Sequence, residues 1–72
     1  MNLGNNIRRL RFDKSEMSQE DLADAIGVTR QTIHSIEKGK FIPSTLLAFK
    51  IAKYFEKNVE EVFYLVSDAT DK

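Results

Sequence analysis

The run from Met17 to Gly39, MSQEDLADAIGVTRQTIHSIEKG, constrains this chain more than any other. Ser18 is a favourable helix N-cap, and Asp21 three residues on completes a capping box with a shorter acid. Leu22, Ala23 and Ile26 then form the apolar stripe of a short helix. Gly27 ends it, because glycine tolerates the left-handed backbone that such a stop requires. Thr29 caps a second helix, whose inward residues are Val28, Ile33 and Ile36. Gly39 closes that helix, with Lys38 in the last turn, where a cation suits the helix dipole. Two short helices must therefore meet at a tight turn, and the small Ala23 lets them approach closely.

The outward residues of the second helix are Thr29, Arg30, Gln31, Thr32, His34 and Ser35. They lack the alternating acids and lysines of a merely solvated helix. They are hydrogen-bonding groups of moderate length, which suits the reading of base edges in a DNA groove. Arg30 matches the O6 and N7 acceptors of guanine, and Gln31 the N6 and N7 of adenine. Thr32 offers a methyl to thymine or a hydroxyl to phosphate. His34 and Ser35, one turn on, reach the next base or the backbone. Lys38 and Lys40 are placed for phosphate. Gln19 opens the first helix, where free N–H groups already favour a phosphate.

The remaining periodicity predicts three more helices. Helix 1 runs from about Asn5 to Lys14, with Leu3, Ile7 and Leu10 at helical spacing. Pro43 forbids continuation of the preceding helix, and Ser44 caps helix 4 over about Thr45 to Phe55. Asn58 and Glu61 mark the start of helix 5, about Val59 to Leu65. Phe63-Tyr64-Leu65-Val66 also has strand composition, and pairing with the N-terminal residues is the alternative to a helix through about Tyr64. Residues 67–72 form a polar tail, expected to fray. The expectation is an all-α, compact five-helix domain spanning 1–72, with its central motif at 18–38.

Seventy-two residues make one domain with a small core. Cysteine is absent, which removes disulfides and thiolate metal sites and fits a reducing cytoplasm. No apolar run matches a signal peptide or a membrane span, so a cytoplasmic protein without membrane contact is expected. The net charge is zero, which argues against a generic polyanion binder. The charges are nevertheless segregated. Residues 1–14 hold Arg8, Arg9, Arg11 and Lys14 against Asp13, whereas residues 15–28 hold four acids and no cation. Folding can gather the cations on one face.

Other chemistries find little support. His34 and Glu37 are at most half a metal site, with one histidine in the chain and no second pair. Glu20, Asp21 and Asp24 lack a nucleophile or phosphate loop, so they read as helix-start acids and a solvated face. Glycines 4, 27 and 39 form no nucleotide fingerprint. No enzyme, cofactor or small-molecule ligand is expected. Val62, Phe63, Tyr64 and Val66 are more apolar side chains than so small a domain buries, and this surplus points to a homodimer through helix 5 and the segment after it. An interaction module that binds protein instead of DNA is the rival reading.

Residues 5–63 resemble the Cro/repressor-type (Xre-like) helix-turn-helix family of bacterial and phage transcriptional regulators. The resemblance is carried by IRRLR, by MSQEDLADAIGVTRQTIHSIEKGK, by PSTLLAFKIAKYF and by VEEVF. It is closest to the compact, single-domain subgroup. It implies a lambda-repressor-like five-helix fold, helix 3 as the recognition helix, and Gln19, Arg30, Gln31 and Thr32 as DNA contacts. Double-stranded operator DNA is then the partner, read as an inverted repeat, with repression by promoter occlusion the simplest mechanism and activation through contact with polymerase the alternative. The sequence departs from the family at Phe12 to Met17, a connection one residue longer than the commonest form. The resemblance also suggests a partly buried ion pair between Arg11 and Glu37, since neither charge would be buried alone.

Overall fold

A computed structural model describes residues 2–67. In chain order the elements are β1 (Asn2–Asn5), α1 (Ile7–Asp13), α2 (Gln19–Ile26), α3 (Arg30–Glu37), α4 (Thr45–Tyr54), α5 (Val59–Val62) and β2 (Phe63–Val66). Among the described residues there are five helices, as expected, although α5 stops at Val62 rather than at about Leu65, and the punctuation between them holds. Ser18 Oγ accepts from the Asp21 N–H at 2.9 Å, while the Ser18 N–H donates to Asp21 Oδ2 at 3.3 Å. Thr29 Oγ1 and Ser44 Oγ likewise accept from the Thr32 and Leu47 N–H groups and cap α3 and α4, without the reciprocal bond. Gly27 adopts φ +88° and sends its N–H back to the Ala23 carbonyl at 2.8 Å.

The fold is not all-α. β1 and β2 pair antiparallel, with Gly4 opposite Tyr64 and Leu3 opposite Leu65. Helix 1 accordingly starts at Ile7 rather than Asn5, and Leu3 belongs to a strand. Two asparagines explain the change. Asn5 Oδ1 accepts from the Ile7 N–H at 3.1 Å, so it serves the start of α1 from outside it. The Asn6 N–H donates to the Val62 carbonyl at 2.9 Å, and Asn6 Nδ2 donates to the Glu61 carbonyl at 3.1 Å. These carbonyls need partners at the end of α5, and Asn6 supplies them after a single turn. The aromatic and β-branched residues that follow then extend as β2. The Tyr64 ring lies over Gly4, where a Cβ would approach ring carbons to 2.5 Å. The polar tail expected over 67–72 lies, beyond Ser67, outside the described residues.

The core gathers one set of side chains from nearly every element: Ile7 from α1, Leu22, Ala23 and Ile26 from α2, Ile33 and Ile36 from α3, Ile51 and Ala52 from α4, with Val62 and Phe63. Burying six large aliphatic side chains almost completely supplies the main driving force for so short a chain. Val62 and Phe63 were expected at a dimer interface. They are instead completed within the protomer, at 0% and 6% exposure. The strand β2 points Phe63 inward and leaves Tyr64, Leu65 and Val66 outside.

The connection between α1 and α2 is a turn closed by Arg11 and Met17. Ser15 and Glu16 both take left-handed backbone, φ 60° and 54°. The turn is closed by the Met17 N–H to the Arg11 carbonyl at 2.9 Å and by Arg11 Nη1 to the Met17 carbonyl at 2.7 Å. Among the described residues no helix is long and apolar enough to cross a membrane.

Candidate nucleic-acid interface

The α2–turn–α3 unit places α3 as a ridge with a depression along each flank. One depression is lined by Arg8 and Arg11 of α1, Gln19 of α2, and Arg30, His34, Glu37 and Lys38 of the α3 segment. The other is lined by Thr29, Gln31, Thr32 and Ser35, and by Lys40 and Phe41 beyond the helix. The inward positions Ile33 and Ile36 anchor the ridge in the core, so helical spacing turns Arg30, Gln31, Ser35 and Lys38 away from it.

Arg30, Gln31, Lys38 and Lys40 are exposed, and none of their side chains has a protein partner among the described residues. His34, Ser35 and Thr32 are half-buried on the flanks. Thr29 and Thr32 are partly committed to each other. Their hydroxyls lie 3.0 Å apart, and Thr29 Oγ1 also accepts the Thr32 N–H at 3.2 Å. The long, unpaired side chains thus occupy the crest, and the shorter ones hold the helix start.

The ion pair beneath the crest is formed as expected. Arg11 Nε donates to Glu37 Oε2 at 2.6 Å, and Nη2 donates to Oε1 at 3.0 Å, a two-point contact between side chains that are 13% and 8% exposed. It ties α1 to α3. Gln19 joins it, donating from Nε2 to Glu37 Oε1 at 3.0 Å. The same amide nitrogen lies 3.5 Å from His34 Nδ1. In the free protein the Gln19 amide is therefore held by Glu37. A phosphate at the start of α2 is left the backbone N–H groups there, since the Gln19 amide nitrogen faces Glu37 and His34.

Arg8 enters the sequence reading only as one of the cations near helix 1 that hold phosphates, not as an individually named contact. Its signal was the cation cluster of residues 1–14, which assigns no side chain to a surface. Folding sets it beside Arg30 and Lys38 along one groove, whose single acid, Glu37, is matched by Arg11. A balanced chain thereby presents a basic strip at its ridge. Among the described residues no cluster of three or more metal-ligating side chains occurs.

A family model described as helix-turn-helix matches residues 7–62. The chain belongs to the helix-turn-helix family, in its Cro/repressor-type branch. It is 56% identical over 52 residues to an uncharacterized helix-turn-helix type transcriptional regulator of Methanocaldococcus jannaschii, covering 72% of this chain and 79% of that protein. It is 49% identical over 61 residues to the like-described YgzD of Bacillus subtilis, covering 85% and 91%. A crystal structure of a candidate DNA-binding protein from Bacteroides fragilis superposes with a TM-score of 0.72 at 19% identity, over 86% of this chain and 98% of that one. That likeness supports the fold. The family is one of regulators and not of enzymes.

Proposed function

We propose that this protein is a sequence-specific, double-stranded DNA-binding transcriptional regulator that sets α3 in the major groove. The observation that carries this reading is the crest of α3, where Arg30, Gln31 and Lys38 stand exposed and unpaired on a helix anchored by Ile33 and Ile36. Arg30 and Gln31 read base edges, with Ser35 and His34 behind them. Lys38, Lys40 and Arg8 hold phosphates on the two flanks, and the start of α2 at Gln19 meets the backbone of the same site.

The protein acts as a homodimer on an inverted-repeat operator and represses by occluding a promoter. Tyr64, Leu65 and Val66 are 44%, 69% and 41% exposed in one short strand, and Leu46 and Phe49 of α4 are also largely exposed. A second copy covering β2 removes this apolar surface from water. Two α3 helices then stand about 34 Å apart, one turn of DNA.

Binding of operator variants at several salt concentrations tests the roles. Arg30→Ala and Gln31→Ala relax preference at particular base pairs, each costing about 1–3 kcal/mol there. Lys40→Ala weakens binding to all sequences and flattens the salt slope by about one unit. Sequence preference left intact by both α3 substitutions would remove α3 as the reading element.

A further inference from the structure

His34 is the only residue of the ridge whose ring carries one movable proton, and its neighbours decide where that proton sits. The chain of contacts begins at Glu37. Its carboxylate accepts Arg11 Nε at 2.6 Å, Arg11 Nη2 at 3.0 Å and Gln19 Nε2 at 3.0 Å. A carboxylate paired with a guanidinium only accepts, so the Gln19 atom facing it must be the amide nitrogen. The orientation of this amide is thus fixed by chemistry. That same nitrogen stands 3.5 Å from His34 Nδ1.

The contact is long for a hydrogen bond, and its direction follows from the orientation of the amide. A proton on Nδ1 would set two donors face to face. This disfavours the Nδ1–H tautomer of the neutral ring. The other side chains lining the groove are mostly cationic. Arg8 and Arg11 on α1, and Arg30 and Lys38 on the α3 side, are all cations. Asn5 of β1 is neutral, and the one acid, Glu37, is taken up by Arg11 and Gln19.

We propose that Glu37, acting through Gln19, holds the neutral ring of His34 in the Nε2–H tautomer and so makes it a hydrogen-bond donor to an acceptor atom of bound DNA. Gln19 and Glu37 are positioning residues in this account, and His34 is the contact. The inference rests on the DNA-reading role of α3. The acceptor is a base-edge atom such as guanine N7, or a phosphate oxygen. A base amino group is rejected, because it would oppose donor to donor.

Long-range proton–nitrogen correlation spectra of the free, labelled protein test the relay. They are recorded about one and a half units or more above the usual imidazole pKa of about 6.5. The expected wild-type ring has Nε2 protonated and Nδ1 bare. Gln19→Leu keeps the bulk and removes the donor, so the ring should relax towards the tautomer mixture of free imidazole. An identical mixture in both proteins, or a protonated Nδ1 in the wild type, overturns the relay. Operator binding tests the contact. His34→Leu should lose about tenfold in affinity, and His34→Gln, whose amide nitrogen stands in for Nε2–H, should recover most of it. Loss confined to one base pair in a selection assigns a base-edge acceptor, and uniform loss assigns a phosphate. Wild-type affinity in His34→Leu overturns the contact. A wild-type protein that binds no DNA refutes the reading of the site, while the ring spectra still decide the relay.

Discussion

Replacing Arg11 by alanine removes the cationic half of the tie between α1 and α3. Glu37, 8% exposed in the intact pair, then holds only the Gln19 amide. The Met17 carbonyl also loses the Nη1 donor that closes the α1–α2 turn at 2.7 Å. Breaking a buried pair by deleting one partner costs about 3–5 kcal/mol, because the surviving charge stays desolvated. The pair here is slightly exposed, so about 3 kcal/mol is the working figure. A domain of this size has a total stability of roughly 4–11 kcal/mol, so the loss is a large share of it. Each kcal/mol shifts the midpoint of a 60–100-residue domain by about 4–8 °C, which converts the loss to about 12–24 °C. Thermal and urea unfolding followed by circular dichroism measure it. The double variant Arg11→Met with Glu37→Leu separates burial of an orphan charge from loss of attraction. It should regain most of the stability, because no unpaired charge remains. An Arg11→Ala protein within about 0.5 kcal/mol of the wild type, the range of ordinary surface changes, would falsify the reasoning.

Gly27→Ala forces a Cβ into φ +88° backbone with open space around it, so the cost is conformational, about 1–2 kcal/mol in urea unfolding. An unchanged midpoint would mean that the turn relaxes. Ser18→Ala deletes the α2 cap and should cost about 1 kcal/mol by the same measurement; no loss would show that the Asp21 half of the box suffices. Leu65→Glu places a charge on the exposed apolar stretch of β2 and should yield monomers in sedimentation with the helical spectrum intact. Dimers that persist would move the interface off β2.

The helical frame was legible because caps and breakers act locally. Ser18, Gly27, Thr29, Ser44 and Asn58 sit where the expected helices start and stop, and each choice depends on residues within one turn. The β1–β2 pair was harder to read because it joins residues about sixty positions apart. Four residues at each end carry no period strong enough to overrule a helical reading of Leu3, Ile7 and Leu10. What decides against that reading is Asn6 meeting the carbonyls of Glu61 and Val62, a contact that exists only after folding. The same limit explains Val62 and Phe63. Apolar residues crowded into a short element show that something must cover them, and not whether the cover is the same chain. On the ridge, the candidates Arg30 and Gln31 follow from residue type and spacing on one helix, and the structure leaves both exposed. Arg8 and the hold of Glu37 on Gln19 involve three helices, and only the tertiary structure sets them side by side.

Selection of binding sites from a random DNA pool with the purified protein, at moderate salt, tests the central claim most directly. The account predicts an enriched inverted repeat whose half-sites are centred about one helical turn apart, with positions sensitive to Arg30 and Gln31. A pool that emerges without sequence enrichment, bound only weakly and in a salt-sensitive way, would contradict it and leave the ridge as a surface for a protein partner.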